Sequence, residues 1–212
     1  FDFAQGFDHY DQTYERFVGE GKLTEHERSA QSVTRSVISY INSLSSLQSL
    51  FLFVHYFDPH KPFEPPAPYD TMYRWEKGDS ASPDGSIIVS YSCPHALSED
   101  NWQLSKKAAL GYAGEISYMD HHLGELLAYL RQKGILDDAI LVVTSDHGEN
   151  FWEHMPYFHH GTSTYQTSMH AVCMIRLPRA AHGGEVVGNP LSSIDIAPTV
   201  LSYLNIPAPP GI

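Results

Sequence analysis

Positive charge is scarce in this sequence, and long apolar runs are absent. Lys and Arg number 13 against 25 Asp and Glu, which gives a formal net charge of -12. A surface of that sign repels phosphate backbones, so we expect no nucleic-acid partner. No run is apolar for long enough to span a bilayer, so the sequence predicts no membrane segment. With 42% hydrophobic residues among 212, the chain can still form a packed domain, or most of a larger one.

Cysteine is equally rare, and several catalytic motifs are missing. Cys93 and Cys173 leave open both a disulfide and two free thiols, and they do not indicate a compartment. The chain opens at Phe1 without a signal peptide, which also leaves the compartment open, periplasmic and secreted locations included. A Gly-Lys-Ser/Thr phosphate loop, a Gly-x-Ser-x-Gly elbow and a His-Glu-x-x-His pair are all absent. Histidine, in contrast, is abundant, with 13 residues.

Apolar periodicity predicts alternating helices and strands. The predicted elements are helices at about 24–45, 101–133 and 196–204, and strands at 51–57, 139–144 and 170–177. Thr24 and Glu27 fit a capping box at the start of the first helix. Residues 65–100 are rich in Pro, Ser, Gly and Asp and predict a long excursion, with a short strand at 87–91. This alternation predicts one α/β domain over 1–212, with a mostly parallel central sheet and helices on both faces.

Two polar clusters follow predicted strands at the point where each strand ends. One is Asp58-Pro59-His60, and the other is Asp146-His147-Gly148-Glu149. Ligands of open parallel sheets bind outside the carboxyl ends of the strands. We therefore expect both clusters to open onto the same edge of the sheet.

The residue types in these clusters suit a metal ion and a proton donor. Asp146 and His147 can turn a carboxylate and an imidazole toward one divalent cation; the alternative is a turn cap beside a surface histidine. The strand-end position favours the metal, and we expect Glu149 to be structural. His60, between two prolines, fits a proton donor or an anion contact, and a plain loop-corner histidine fits equally well.

Further histidines form two more groups. His154, His159 and His160 could hold the oxygens of an anion, or they could belong to an ordinary polar loop. His121 and His122 lie on the long predicted helix, where we expect solvent-facing or structural roles.

Four motifs, taken in order, resemble the sulfatase family of the alkaline phosphatase superfamily. They are the run 51–63 that contains Asp58-Pro-His60-Lys-Pro, the run Thr144-Ser-Asp-His-Gly-Glu149, the run His160-Gly-Thr-Ser-Thr-Tyr165, and the run Asp195-Ile-Ala-Pro-Thr-Val-Leu201. The opening Gly6-Phe-Asp-His-Tyr-Asp11 is also similar to the stretch before the first long helix of these enzymes. The resemblance covers essentially the whole chain.

The resemblance implies hydrolysis of small-molecule or carbohydrate sulfate esters by a formylglycine nucleophile and a divalent cation, usually calcium. It implies that Asp146 and His147 are metal ligands. It further implies that His60 contacts the sulfate and the leaving group, and that His160, rather than His159, contacts the anion. It gives no oligomeric state.

Two departures from the family pattern matter. The Cys/Ser-x-Pro/Ala-x-Arg motif of the nucleophile and the first two aspartate ligands are missing. We therefore expect a partial catalytic domain whose nucleophile segment precedes Phe1, and which is inactive alone; an inert partial domain is the non-catalytic alternative. His147 also replaces the commoner Asn, which shifts the metal preference from calcium toward manganese, iron or zinc. Relatives with Asp-His include phosphonate monoester and phosphodiester hydrolases, which makes a phosphorus ester the second candidate substrate.

Overall fold

Two compact units make up the chain. The computed structural model describes residues 3–19, 22–46, 49–74, 87–88, 98–154, 158–209 and 211. The first unit comprises Phe1–Val89 and Leu110–Leu126, and the second comprises Ser90–Ala109 and Leu127–Ile212. The expectation of one domain over 1–212 stays a prediction. Most of the predicted excursion at 65–100 lies outside the described residues.

The first unit begins with a hairpin and a helix. Strands β1 (Glu15–Gly19) and β2 (Lys22–Glu27) pair antiparallel, and helix α1 follows (Ala30–Ser43). The predicted capping box at Thr24 and Glu27 is wrong, because both residues lie in β2. The helix starts instead where Ser29 accepts a hydrogen bond from the Ser32 N–H.

Residues 51–57 differ from the buried strand that their apolar sequence predicts. They form no ladder with any described strand. Phe51 and Phe53 are 72% and 74% exposed, while Leu52 and Val54 are half-buried. A continuous apolar run is typical of a strand covered on both faces, whereas here the described residues cover one face only.

A 34-residue helix, α2 (Glu99–Gln132), contributes to both units. It begins at the Ser98 cap and ends before Gly134, whose φ of +72° suits glycine, so the predicted helix is confirmed within two residues. In the first unit α2 passes very close to the segment after His60. A Cβ at Gly114 would lie 2.6 Å from the Tyr69 carbonyl oxygen, so no side chain fits there.

Most of the buried side chains described in the first unit come from α1 and the middle of α2. They include Ala30, Val33, Thr34 and Ile41, together with Glu115, Tyr118, His122 and Leu126. A short parallel pair, β3 (Tyr73–Arg74) and β4 (Ile87–Ile88), completes this unit.

The second unit contains the strand that leads to the predicted metal pair. Its elements are β5 (Leu141–Thr144), α3 (Gln166–Met169), β6 (Cys173–Arg176) and α4 (Ile196–Tyr203). Strands β5 and β6 pair antiparallel, with Thr144 opposite Cys173. Both predicted strands exist but are shorter than predicted. Cys173 has a free thiol, and Cys93 lies outside the described residues.

Asp195 lies directly before α4. Its carboxylate does not cap α4; it accepts the Ser192 N–H at 2.8 Å across the preceding turn. Among the described residues, no helix is both long and apolar enough to cross a membrane.

Candidate active site

The chain leaves β5 into a tethered turn that carries Asp146 and His147. The Ser145 N–H donates to the Val172 carbonyl at 3.2 Å, and the Val172 N–H donates back to the Ser145 Oγ at 3.0 Å. This pair of bonds fixes the end of β5 against the segment before β6. The next two side chains therefore start from a fixed backbone position.

Asp146 and His147 present one oxygen and one nitrogen side by side. The Nε2 of His147 lies 3.6 Å from the Oδ2 of Asp146. The Nδ1 of His147 lies 2.8 Å from the Gly148 carbonyl, and because a carbonyl only accepts, Nδ1 carries the proton. In the neutral ring, Nε2 then has the lone pair that a metal ion requires.

This pair fits two ligands of one divalent cation. Ligand bonds of about 2.1 Å place two neighbouring ligand atoms roughly 3 to 3.5 Å apart, close to the observed separation. The Asp146 side chain is 87% exposed, so an ion can approach it. Within the described part of the chain, no third Asp, Glu, His or Cys completes a set of three around this pair.

His160 lies directly against His147. The two rings stack with centroids 4.1 Å apart and planes at 29°. The Nδ1 of His160 lies 3.0 Å from the Oε2 of Glu149, whose side chain is buried. Glu149 thus contacts the imidazole of His160, which is consistent with a structural role.

His159 has a different environment from its neighbour. Its N–H donates to the Asn150 carbonyl at 2.9 Å, and its ring contacts Phe158 at 4.2 Å. His154, the third residue of the predicted histidine group, stacks on Tyr165 at 3.8 Å. Of the three, the structure brings only His160 against the His147 ring in the contacts it describes.

Asn150 supports this cluster, and no sequence pattern predicted its role. The side chain is fully buried, and its Nδ2, which has two hydrogens to donate, lies 2.9 Å from the His159 carbonyl oxygen, 3.2 Å from the Ser163 Oγ and 2.5 Å from the Ser168 Oγ. Its Oδ1 accepts the hydroxyl of Thr167. One amide thereby connects the turn after β5, the loop that carries His160, and helix α3.

Gly148 brings the same turn against α3. Its N–H donates to the Ser168 carbonyl at 2.8 Å. A Cβ on this residue would collide with the Thr167 carbonyl oxygen. The glycine between His147 and Glu149 is therefore required by a close backbone approach.

His60 lies in the first unit and has its own local contacts. Its N–H donates to the Phe57 carbonyl at 2.9 Å, its Nδ1 contacts the Lys61 carbonyl at 2.8 Å, and its ring lies 4.5 Å from the Phe57 ring. The neighbouring Asp58 accepts the Ala30 N–H at 2.7 Å at the start of α1. The expectation that His60 shares an edge with Asp146 stays a prediction.

The helix histidines are more organised than the sequence predicted. His121 and His122 converge with Glu125 into a group of three possible ligands on α2. Glu125 lies three positions after His122 and four after His121, and these helical spacings could have signalled the group.

Comparisons with known proteins agree with the fold. A family profile described as Sulfatase matches residues 1–206. The multifunctional alkaline phosphatase superfamily protein PehA of Trinickia caryophylli is 26% identical over 194 residues, which are 81% of this chain and 37% of that protein. An arylsulfatase of Clostridium perfringens is 27% identical over 189 residues, or 85% of this chain and 39% of that protein.

A solved structure gives the same result. The phosphonate monoester hydrolase SpPMH of Silicibacter pomeroyi superimposes with a TM-score of 0.62 and 25% identity, over 96% of this chain and 45% of that one. The α/β fold of the alkaline phosphatase and sulfatase type is thereby confirmed, although the described strand pairs are short. The chain spans less than half the length of each of these three proteins.

Proposed function

This chain belongs to the sulfatase family, and on that premise we propose that it supplies part of the active site of a sulfuric ester hydrolase. The observation that carries the proposal is the contact of Asp146, His147 and His160 at the end of β5. A metal-ligand pair and a stacked imidazole at one strand end suit the recognition of an anionic ester group. The substrate would be a small-molecule or carbohydrate sulfate ester.

Each candidate residue has a distinct role in this proposal. Asp146 and His147 would hold a divalent cation, which would supply Lewis-acid polarisation of the ester group. His160, oriented by Glu149, stabilises negative charge on the transferred group. His60 donates a proton or a hydrogen bond to the leaving oxygen.

The identity of the metal is part of the proposal. The sulfatase family generally uses a divalent metal, and the resemblance of this chain to the family favours calcium. The imidazole nitrogen of His147 favours manganese or another transition metal, because calcium prefers oxygen ligands. His147→Asn should therefore shift the bound metal toward calcium. Metal analysis of the unchanged protein and of His147→Asn, after purification in mixed ions, measures this shift. An unchanged metal content would show that His147 is not a metal ligand.

The nucleophile is not among these 212 residues, because none of them lies in a Cys/Ser-x-Pro/Ala-x-Arg motif. Covalent catalysis requires the attacking group, so the 212-residue chain alone should show no turnover. Assays on aryl sulfates and aryl phosphodiesters test this expectation. Turnover that persists after repurification would show that the chemistry is different.

A phosphorus ester is the second candidate substrate. The Asp146-His147 pair and the 25% identity to a phosphonate monoester hydrolase favour it. Rates of hydrolysis of matched aryl sulfate, aryl phosphonate monoester and aryl phosphodiester substrates decide between the two candidates. The protein should be expressed from its complete reading frame. A higher kcat/KM for the aryl sulfate supports the sulfatase, and a higher value for either phosphorus ester overturns it.

The role of His60 has its own test in the same protein. His60→Ala should lower turnover by roughly 100-fold if this residue is the general acid. The loss should be smallest for good leaving groups, since they need little protonation, and the metal content should not change. An equal loss for all leaving groups would contradict the assignment.

A further inference from the structure

We propose that His121, His122 and Glu125 form a second metal site, on one turn of α2, for a divalent transition-metal ion such as zinc. The Nδ1 of His122 lies 2.7 Å from the Oε2 of Glu125, and the Nε2 of His121 lies 3.7 Å from its Oε1. One ligand atom from each residue falls within 4.8 Å of the other two. Ligands of one ion with bonds of about 2.1 Å lie up to about 4.2 Å apart, so small side-chain rotations complete the site.

The helix itself produces this geometry. Residues three and four apart project from the same face, so Glu125 meets His122 at one spacing and His121 at the other. The rings of the two histidines lie 5.0 Å apart at 85°. Both imidazoles are therefore beside one carboxylate without any long-range folding requirement.

The buried member of the group is held in place by tertiary contacts. The His122 side chain is 5% exposed, and its ring packs edge-on against Tyr118 with centroids 4.7 Å apart. The His122 carbonyl accepts the hydroxyl of Thr34 at 3.0 Å, and Thr34 is itself fully buried. A ligand fixed in this way loses little conformational entropy when an ion binds.

The other two members leave an entrance from solvent. The side chains of His121 and Glu125 are 54% and 52% exposed. Glu125 also places negative charge near Tyr56. Burial raises the pKa of Tyr56 and the charge of Glu125 raises it further, while the Thr34 hydrogen bond opposes both. An acidic group beside two imidazoles attracts a cation.

The ligand set selects the class of metal. Two imidazole nitrogens and one carboxylate oxygen suit zinc, cobalt and nickel, whereas calcium and magnesium prefer oxygen ligands throughout. Three protein ligands leave one tetrahedral position for water. An ion that binds only the folded turn should also stabilise the first unit against unfolding.

The test uses protein in which Asp146→Ala and His147→Ala remove the other candidate metal pair. After treatment with a chelator, zinc and cobalt are titrated by calorimetry, and the cobalt absorption spectrum is recorded. We expect one ion per chain and an absorption spectrum typical of cobalt bound by nitrogen ligands. The thermal unfolding midpoint should be higher with zinc than without it. Absence of binding would overturn the site.

Two exposed ligands allow the site to be removed without disturbing the core. His121→Ala and Glu125→Gln should each weaken zinc binding by roughly 10- to 100-fold. Loss of a residue that only supports a metal ligand has an effect of this size, and loss of a ligand itself should cost no less. Each variant should also abolish the thermal shift, while the circular dichroism of the metal-free protein stays unchanged. An unchanged zinc affinity in both variants would show that the ion binds elsewhere and would overturn the proposal.

A second His–Glu pair in the chain provides the matched control. His182 and Glu185 have the same spacing of three and a contact of 2.9 Å, and both are about two-thirds exposed. No third ligand accompanies this pair among the described residues. His182→Ala should leave zinc affinity and the thermal shift unchanged. If His182→Ala lost as much zinc affinity as His121→Ala, the zinc would be binding to exposed histidines in general, and the proposed site would be wrong.

Discussion

Two clusters combine histidines with a carboxylate, and they are built differently. In the helix cluster, residues 121, 122 and 125 belong to one turn of α2, and the helical repeat brings the side chains together. In the loop cluster, His147 and His160 are 13 positions apart, and their stacking requires the loop to fold back. Similar side chains are thus held by local hydrogen bonding in one case and by tertiary structure in the other.

This difference teaches where each cluster is vulnerable. The helix cluster has a tertiary contact of its backbone, the buried hydroxyl of Thr34, which donates to the His122 carbonyl. The loop cluster is supported by the buried amide of Asn150, which bonds the carbonyl of His159 and the hydroxyl of Ser168. Changes at these two positions should separate the two modes of support.

The largest effect should come from the loop cluster in the enzyme expressed from its complete reading frame. His160→Ala should lower kcat on the preferred ester by about 100- to 1000-fold, because under the proposed function His160 stabilises charge on the transferred group. Steady-state kinetics measures the change. His182→Ala, an exposed histidine outside both clusters, is the control and should leave kcat unchanged. Equal losses in the two variants would remove the special role of His160.

Asn150→Ala should give the largest loss of stability. It leaves several buried donors and acceptors without partners, which should lower the free energy of unfolding by about 3 kcal/mol. Urea denaturation measures it. Asn101→Ala, at an exposed position of α2, should be neutral or slightly stabilising, because alanine favours a helix. A small effect at Asn150 would mean that the loop holds its conformation by other contacts.

Thr34→Val should have a smaller effect in the helix cluster. Valine keeps the shape but removes the hydroxyl that joins the His122 carbonyl to the Tyr56 hydroxyl, at a cost of about 1 to 2 kcal/mol. Thr199→Val removes an exposed hydroxyl bond within α4 and should change stability by about 0.5 kcal/mol or less. Thermal unfolding of both variants tests the difference; equal effects would refute the anchoring role of Thr34.

The smallest effect should come from Asp11, a carboxylate that lies outside both clusters. Hydrogen bonds from Ser36, Arg28 and Thr13 hold the pKa of Asp11 below its ordinary range, although burial opposes them. Because the folded pKa is depressed, the stabilisation is full above the unfolded pKa of about 3.9 and is lost as the pH falls through the folded value. Asp11→Asn should therefore flatten the acid side of the stability curve. A curve parallel to that of the unchanged protein would contradict this.

Some parts of the fold could be predicted because their causes are local. The apolar stripe and the caps of α2 lie within its own sequence, so its ends were predicted within two residues. The strand-end rule predicted that Asp146 and His147 would follow β5. The start of α1 was missed, because Thr24 and Glu27 mimic a cap that the hairpin of β1 and β2 overrides.

By itself, the sequence determined helix α2, the strands β5 and β6, the family and the position of the Asp146-His147 pair, because these depend on short-range periodicity and on motif order. Only the tertiary structure decided that His160 stacks on His147, and that the buried Asn150 amide bonds the His159 carbonyl. It also decided that Phe51 and Phe53 are exposed. These outcomes depend on which distant segments cover a side chain, and hydrophobic burial and hydrogen bonding between distant segments leave no periodic trace in the sequence.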